Sequence, residues 1–539
     1  MNICVSVLCE KIYKYNRIAI YGCGTVAKET YHALLECGKK PEFCVVTKKQ
    51  KMTQDLFQNA IPVYEFGDMT EYINKNNVLV ITGVSEYYEK EILEILRNAQ
   101  TKRYVCITDF DRGYVYRRYE NMSEQEYLDE IAEWYVNHEG KTDKRHALEV
   151  LQDAVNGKRC DNKIVFAVGA LTPRLLKIAE TLQERAYEIK LIASPQAAMQ
   201  EFCIDALKKI QITCVNCTSV VEFMYRIMVE RAKVIHLFTT LGNSRIDKVL
   251  IKMKGLFPPI IYDEYDIYNL CYTGISEEYL DNERFCLEHA DAICNRGYEV
   301  DHLIRNGYHI GGKVIQLSDY CGNKQICDTE AEDSELSLCY CGNILSREES
   351  TEWVQNFFDL AGLCAVHHCH FHLYPHIWNE ERLSAYIELD QSNAFFHLHQ
   401  PVPYDQLKYE LSKHDYGIYP MKRIHLEQGM IYNQALSARY GTEVITYAHT
   451  NKYFDYLDAG LPIIAANPIQ LVKFLQRKGV VLDWTIEEYN FDEMRLRRKE
   501  LKEKVRNAHN GLQMSQHIDE LLRFYVSVEN ERIERQRCM

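Results

Sequence analysis

The sequence predicts an α/β protein built from three successive parallel-sheet domains. Three observations lead there: short apolar runs of strand length alternate with stretches of helical periodicity, glycines close several of those runs, and 539 residues suffice for about three cores of ordinary size. The expected boundaries are 1–115 for the first sheet, 116–160 for a helical linker, 161–335 and 336–515 for the next two sheets, and 516–539 for a terminal helix.

In the first domain, residues 17–21 form an apolar strand that enters Gly22-Cys23-Gly24-Thr25-Val26-Ala27, and Ala27, Tyr31, Leu34 and Leu35 mark the face of the helix that follows. Further strands are expected at 43–46, 78–82 and 104–108, with a helix over 89–98. A Gly-x-Gly-x-x-Ala turn lets a diphosphate approach the backbone, so Gly22 and Gly24 are candidate nucleotide-binding residues. The second strand ends in Thr47-Lys48-Lys49, where an acid would suit NAD and lysines would suit NADP. A structural or regulatory domain is the alternative, since no Tyr-x-x-x-Lys redox pair stands here; an oxidoreductase or epimerase would need this turn to hold nicotinamide.

The linker carries helical spacing over 124–135 and 146–155. The next block alternates again: a strand at 163–168, Gly169 leaving room for a ligand, a helix from Pro173 to Arg185, and strands at 188–193, 210–215, 233–238, 259–263, 290–294 and 313–317. Ligands gather at the carboxyl ends of parallel strands. His236, Asp263 and Asp266, at or just beyond two such ends, are therefore candidates for lining an acceptor site and orienting its hydroxyl. The polar stretch from Ser318 to Glu335 reads as a hinge.

In the last domain, a strand over 336–341 runs into Gly342-Asn343-Ile344-Leu345-Ser346-Arg347, where a glycine admits close approach and Arg347 could reach a phosphate. The run from Val366 to His372 alternates as a strand, with His368, His370 and His372 on one side; core or surface histidines are the expectation, and no metal site. Cys214-x-x-Cys217 has no second pair at zinc spacing. Thr450-Asn451-Lys452-Tyr453-Phe454-Asp455-Tyr456-Leu457-Asp458-Ala459-Gly460-Leu461-Pro462 reads as a capped helix ending at a left-handed glycine and feeding a buried strand. Its start could hold a diphosphate, with Lys452 adding charge and Asp455 accepting ribose hydroxyls; equally, it could be an α/β unit that binds nothing.

That last segment resembles the donor-site motif of family 4-like glycosyltransferases of the GT-B fold, Lys-aromatic-x-Glu/Asp-Tyr-Leu-x-Ala-Gly-x-Pro, through Lys452, Phe454, Asp455, Tyr456, Leu457, Ala459, Gly460 and Pro462. The resemblance implies a GT-B pair of Rossmann-like domains over about 160–520, behind an N-terminal Rossmann-like domain of the kind attached to polysaccharide-assembly enzymes. It implies transfer of a sugar from a nucleoside diphosphate sugar to a glycan, lipid-linked or protein acceptor, with retention of configuration. Gly342, Asn343, Arg347, His399, Val402, Tyr419, Asn451, Lys452 and Asp455 then belong to the donor side, with Asp455 at the ribose. Tyr447 stands where many members carry a second Glu, which leaves open a nucleotide-sugar-binding scaffold without transfer activity.

A formal charge of −14 argues against a nucleic-acid binder. With no apolar run of membrane length and no leader-like start, a cytoplasmic protein is expected, peripheral to a membrane only if the basic helix 494–504 touches one. In that compartment the 20 Cys are expected to be free thiols, many of them in strands.

Overall fold

The computed structural model describes residues 5–48, 61–84, 86–107, 119, 122–138, 143–199, 201–217, 219–240, 243–265, 267, 277–305, 307–326, 335–344, 357–376, 378–423, 450–466 and 470–538. The chain divides into two compact units, 1–127 and 128–539. Among the described residues no helix is long and apolar enough to cross a membrane.

In the first unit, β1 (Ile18–Tyr21), β2 (Phe43–Val46), β3 (Val63–Glu65), β4 (Leu79–Thr82) and β5 (Tyr104–Cys106) form a parallel sheet in the order β3-β2-β1-β4-β5. Every residue of β1 and β4 is buried, on both faces, as a sheet covered on two sides requires. Gly22 has φ +123°, and a Cβ there would fall 2.6 Å from the Gly83 carbonyl oxygen, so glycine is required for this turn. Gly24 precedes the Thr25–Glu36 helix without a side-chain cap and with open space around it. Leu34 of that helix is buried, whereas Leu35 turns outward. An additional helix, Val5–Ile12, packs Leu8 and Ile12 into the same core. It brings Cys9 to Cys37 as a disulfide, which corrects the expectation that all cysteines are free thiols.

The second unit holds two sheets. β6 (Cys160–Leu171), β7 (Glu188–Met199), β8 (Cys214–Asn216), β9 (Ala232–Thr239), β10 (Ile260–Glu264), β11 (Ala292–Asn295) and β12 (Lys313–Gln316) are ordered β12-β11-β10-β9-β6-β7-β8. β13 (Ser337–Gly342), β14 (His370–Pro375), β15 (Phe396–Leu398), β16 (Tyr416–Tyr419), β17 (Ile463–Ala465) and β18 (Val481–Leu482) are ordered β15-β14-β13-β16-β17-β18. Every pairing in both is parallel. The terminal helix Ile518–Cys538 returns to the first of these sheets, with Ile518, Leu521, Tyr525 and Val528 buried at helical spacing in its core. The fold is thus α/β, a Rossmann-like unit followed by a GT-B pair.

The helices Glu124–His138 and Lys144–Asn156 lead into this pair, and the rings of Trp134 and Tyr135 pack, tilted, 5.2 and 5.4 Å from that of Tyr225. The basic helix Phe491–His509 buries Phe491, Met494, Leu501 and Val505. Two of its cations, Arg498 and Lys502, lie 3.5 and 3.7 Å from the buried Asp415 and are not part of a solvated stripe.

Gly417 in β16 lies under the Tyr456 ring, whose Cδ atoms would stand 2.5 Å from any added Cβ. Gly417→Ala is therefore expected to cost about 2 kcal/mol through forced repacking, read as a lower midpoint in urea denaturation; an unchanged midpoint would mean that the helix carrying Tyr456 can shift at no cost.

Candidate functional site

The carboxyl edge of the third sheet gathers several of the expected donor-side residues. β13 ends at Gly342 with φ +146°, and a Cβ there would run into the Lys452 side chain, with Nζ 3.2 Å away. The missing side chain is what admits the lysine. The ammonium lies 5.5 Å from the Tyr340 ring centroid and 5.9 Å from that of Tyr419, within cation–π range. Tyr340 donates to the Asn343 carbonyl at 3.3 Å, which fixes the backbone just past Gly342, and Asn343 itself is exposed. His376 N–H donates to the Gly342 carbonyl at 3.1 Å. Gly342, Asn343, Tyr419 and Lys452 thus converge. Tyr340 and His376 join them without having been singled out in the sequence; position two before a strand-end glycine, and first after a neighbouring strand, is the signal that marks them.

Other expected residues are placed differently. Arg347, Asp266 and Tyr447 lie outside the described residues. His399 is paired with His372, Nε2 to Nδ1 at 2.9 Å, and stacks on Tyr374 at 4.1 Å. Val402 packs against the core beneath the 452–458 helix. Gly169 makes room for the Asn243 side chain, whose Nδ2 would stand 2.6 Å from a Cβ, and not for a ligand.

The Lys452–Asp458 helix has seven residues and ends as expected at Gly460, φ +76°. Asn451 precedes it with φ −61°, ψ −31° and makes no side-chain cap. In the amide orientation that satisfies its neighbours, it donates to Asp319 and accepts from the Tyr265 hydroxyl. Asp455 reaches across to the other lobe, where one oxygen accepts from Lys177 at 3.3 Å, and the same oxygen accepts from the Tyr404 hydroxyl of its own lobe at 3.0 Å. Asp458 takes Lys177 at 3.4 Å, His509 at 3.0 Å and the Gly322 N–H. Burial raises the Asp455 carboxyl, and Lys177 only partly offsets that. Burial acts equally on Asp458, but Lys177, His509 and the Gly322 N–H outweigh it and hold its carboxyl below the usual range.

A second charged cluster lies three residues earlier on the Pro173–Glu184 helix, which is capped by Thr172. Arg174, with no side-chain exposure, donates to Asp263 from Nε (3.1 Å) and Nη2 (3.0 Å) and lies 3.3 Å from Asp319. His236 gives Nε2 to Asp263 at 3.1 Å and Nδ1 to the Tyr525 hydroxyl at 2.6 Å. Burial lowers the His236 imidazole despite Asp263, so the neutral ring donates from Nε2 and accepts at Nδ1. In this packing both ring nitrogens of His236 are taken, and the Asp263 carboxylate serves a buried guanidinium. Arg174 and Lys177 were not marked in the sequence, because nothing local distinguishes them from surface charges on an exposed helix.

A cavity of about 310 Å³ opens between the two lobes, lined by Lys177, Lys209, Asn323, Tyr404, Asp455 and Asp458 among others. Neither Lys452 nor Gly342 lines it. Two residues three apart on one helix therefore serve different surfaces, Lys452 the strand edge and Asp455 the interlobe cavity.

No protein-family model matches the chain, and no curated protein is significantly similar to it. Among solved structures, sucrose-phosphate synthase from Thermosynechococcus elongatus is similar at a TM-score of 0.47 and 12% identity, over 68% of this chain and 99% of that one. The glycosyltransferase SnogD from Streptomyces nogalater is similar at a TM-score of 0.38 and 11% identity, over 68% and 100%. A UDP-GlcNAc 2-epimerase from Neisseria meningitidis, bound to UDP-GlcNAc, is similar at 0.40 and 13%, over 67% and 99%.

Asp458 has a lowered folded-state pKa, so its stabilising contribution is complete above the ordinary carboxylate value and fades as pH falls below about 4. Asp458→Asn is expected to cost about 3 kcal/mol at pH 7 by urea denaturation, with the gap to the parent protein narrowing toward pH 3. A gap independent of pH would show that the loss is one of packing and not of charge.

Proposed function

We propose that this chain is a glycosyltransferase that moves a sugar from a nucleoside diphosphate sugar to a hydroxyl. The observation that carries the reading is the Lys452 ammonium seated against Gly342 at the carboxyl edge of a parallel sheet, between the Tyr340 and Tyr419 rings. A cation at that edge, flanked by aromatic surface that displaces water, is placed to meet the charge that grows on a departing diphosphate; the attraction strengthens as water is excluded. Gly342 and Asn343 would give the diphosphate a backbone approach, and Arg347 would add a second cation. The 395–404 segment, with His399 and Val402, would receive the base.

The motif resemblance supports a family 4-like donor site, a retaining outcome and a role in cytoplasmic assembly of surface glycans, with a glycan, a lipid-linked sugar or a protein as acceptor. Asp455 holds Lys177 and Tyr404 in this structure, so its approach to a ribose would require the lobes to part there. The same latch favours a second reading, a nucleotide-sugar-binding scaffold whose lobes stay closed. The N-terminal unit would be a structural or regulatory appendage, with the Gly22–Gly24 turn open to a nucleotide.

Incubating the purified protein with a panel of nucleotide sugars, with and without extracted acceptors, should release nucleoside diphosphate; tight donor binding without turnover across the panel would select the scaffold. Lys452→Ala and Gly342→Ala should each weaken donor binding at least about tenfold, roughly 1.4 kcal/mol by calorimetry, with the first leaving the melting temperature unchanged. Unchanged affinity in Lys452→Ala would remove the donor-site assignment.

A further inference from the structure

The histidine-rich run does not form the strand its alternation suggests. The Phe358–Val366 helix closes at His367, His368 takes φ +49°, and β14 starts only at His370. His368 therefore leaves the set, and a different partner enters. β15 lies at the sheet edge with His397 directly opposite His372, so His370 and His372 on one strand face His397 and His399 on the next.

These imidazoles touch through their nitrogens. His370 Nδ1 lies 2.8 Å from His397 Nε2, and His372 Nδ1 lies 2.9 Å from His399 Nε2. His370, His397 and His372 stack in sequence at 5.0 and 4.5 Å between ring centroids. One nitrogen from each of His370, His372 and His397 lies within 4.8 Å of the others, and all three rings are half-buried, open to an ion from solvent. On its other side His370 meets the exposed Glu335 through Nε2 at 2.9 Å. A carboxylate there fixes the proton on Nε2 and leaves the Nδ1 lone pair pointing into the cluster, as in the carboxylate–histidine pairs that orient metal ligands.

We propose that His370 Nδ1, His397 Nε2 and a ring nitrogen of His372 form a binding site for a divalent transition metal, Zn²⁺ being the reference ion, with Glu335 orienting His370. A zinc ion holds imidazole nitrogens at about 2.0–2.1 Å, so tetrahedral ligands stand about 3.3 Å apart. The observed 2.8 Å contact therefore opens by only about half an ångström on binding. Binding exchanges the N–H···N bond between His370 and His397 for two metal bonds and moves the His397 proton to Nδ1; the third bond uses the unprotonated nitrogen of His372 and, if that is Nδ1, displaces its contact with His399 Nε2. An all-nitrogen set favours Zn²⁺, Ni²⁺ or Cu²⁺ over Mg²⁺ or Ca²⁺.

The other close trios differ. His236, Asp263 and Cys294 already surround Arg174, and Cys321, Asp458 and His509 adjoin Lys177, so a cation occupies the electrostatic role in each. The histidine site sits at the amino end of β14, away from the carboxyl edge that carries Lys452. The ion would staple the edge strand β15 to the sheet just ahead of the loop with His399 and Val402.

The test uses full-length protein without an affinity tag, equilibrated with Zn²⁺ against a competing chelator and read by elemental analysis. One equivalent should be retained; the His370→Gln/His397→Gln double variant should lose it, and Glu335→Gln should weaken binding about tenfold or more. With Cu²⁺ in the parent protein, electron paramagnetic resonance should show coupling to at least two imidazole nitrogens, a readout that does not depend on a variant folding. No retained metal, equal retention in the double variant, or a Co²⁺ complex with thiolate charge-transfer bands would overturn the site.

Discussion

One helix turn joins the two lobes of the second unit. Arg174 and Lys177 stand three residues apart on the Pro173–Glu184 helix, where i and i+3 side chains lie side by side. Arg174 holds Asp263 and Asp319 in its own lobe and at the crossing between lobes, while Lys177 reaches the Tyr320 carbonyl and the Asp455–Asp458 face of the other lobe. The crossing segment is tied further by Cys321 bridging to Gln513 and by Tyr320 stacking on His517 at 3.7 Å. Buried ion pairs of this kind add little net stability against apolar side chains of the same size, because two charges must leave water. Their strength lies in geometry: a charge left without its partner is expensive, so the register of helix, crossing and 452–458 segment must satisfy all six charged groups at once.

That register determines what the third sheet can present. With Asp455 and Asp458 turned toward Lys177, the start of the same helix is left at the carboxyl edge, and Lys452 falls against Gly342. Asn451 completes the division by spending its amide on Asp319 and Tyr265. The cation proposed to meet a donor diphosphate and the carboxylates that hold the lobes consequently share one seven-residue helix. Movement of the lobes would be felt directly at Lys452.

Much of this architecture was legible in the chain. Apolar runs such as 163–168 and 233–238 are strands because both faces of a covered parallel sheet exclude polar residues, and Gly342 stood out as a glycine ending such a run. Partners distant in sequence were not legible. Nothing near Asp455 announces Lys177, 278 positions away, so a local reading offers the carboxylate to a ligand when the fold gives it to a lysine. His236 and Asp263 likewise take partners distant in sequence, Tyr525 and Arg174, that no local reading announces. The histidine run failed through register: alternation fits any strand through 366–372, but the preceding helix runs to Val366 and closes at His367, His368 takes φ +49°, and the strand starts only at His370. The Cys9–Cys37 disulfide needed the Val5–Ile12 helix, which was not seen in the sequence because so short an element leaves little periodicity.

Hydrogen–deuterium exchange with and without a saturating nucleoside diphosphate tests the central claim most directly, because it maps the ligand without any substitution. Slowed exchange at residues 340–344 and at the start of the 452–458 helix, with 18–27 of the N-terminal unit unaffected, is the predicted result. Protection confined to the Gly22–Gly24 turn, or absent from the third sheet's carboxyl edge, would contradict it.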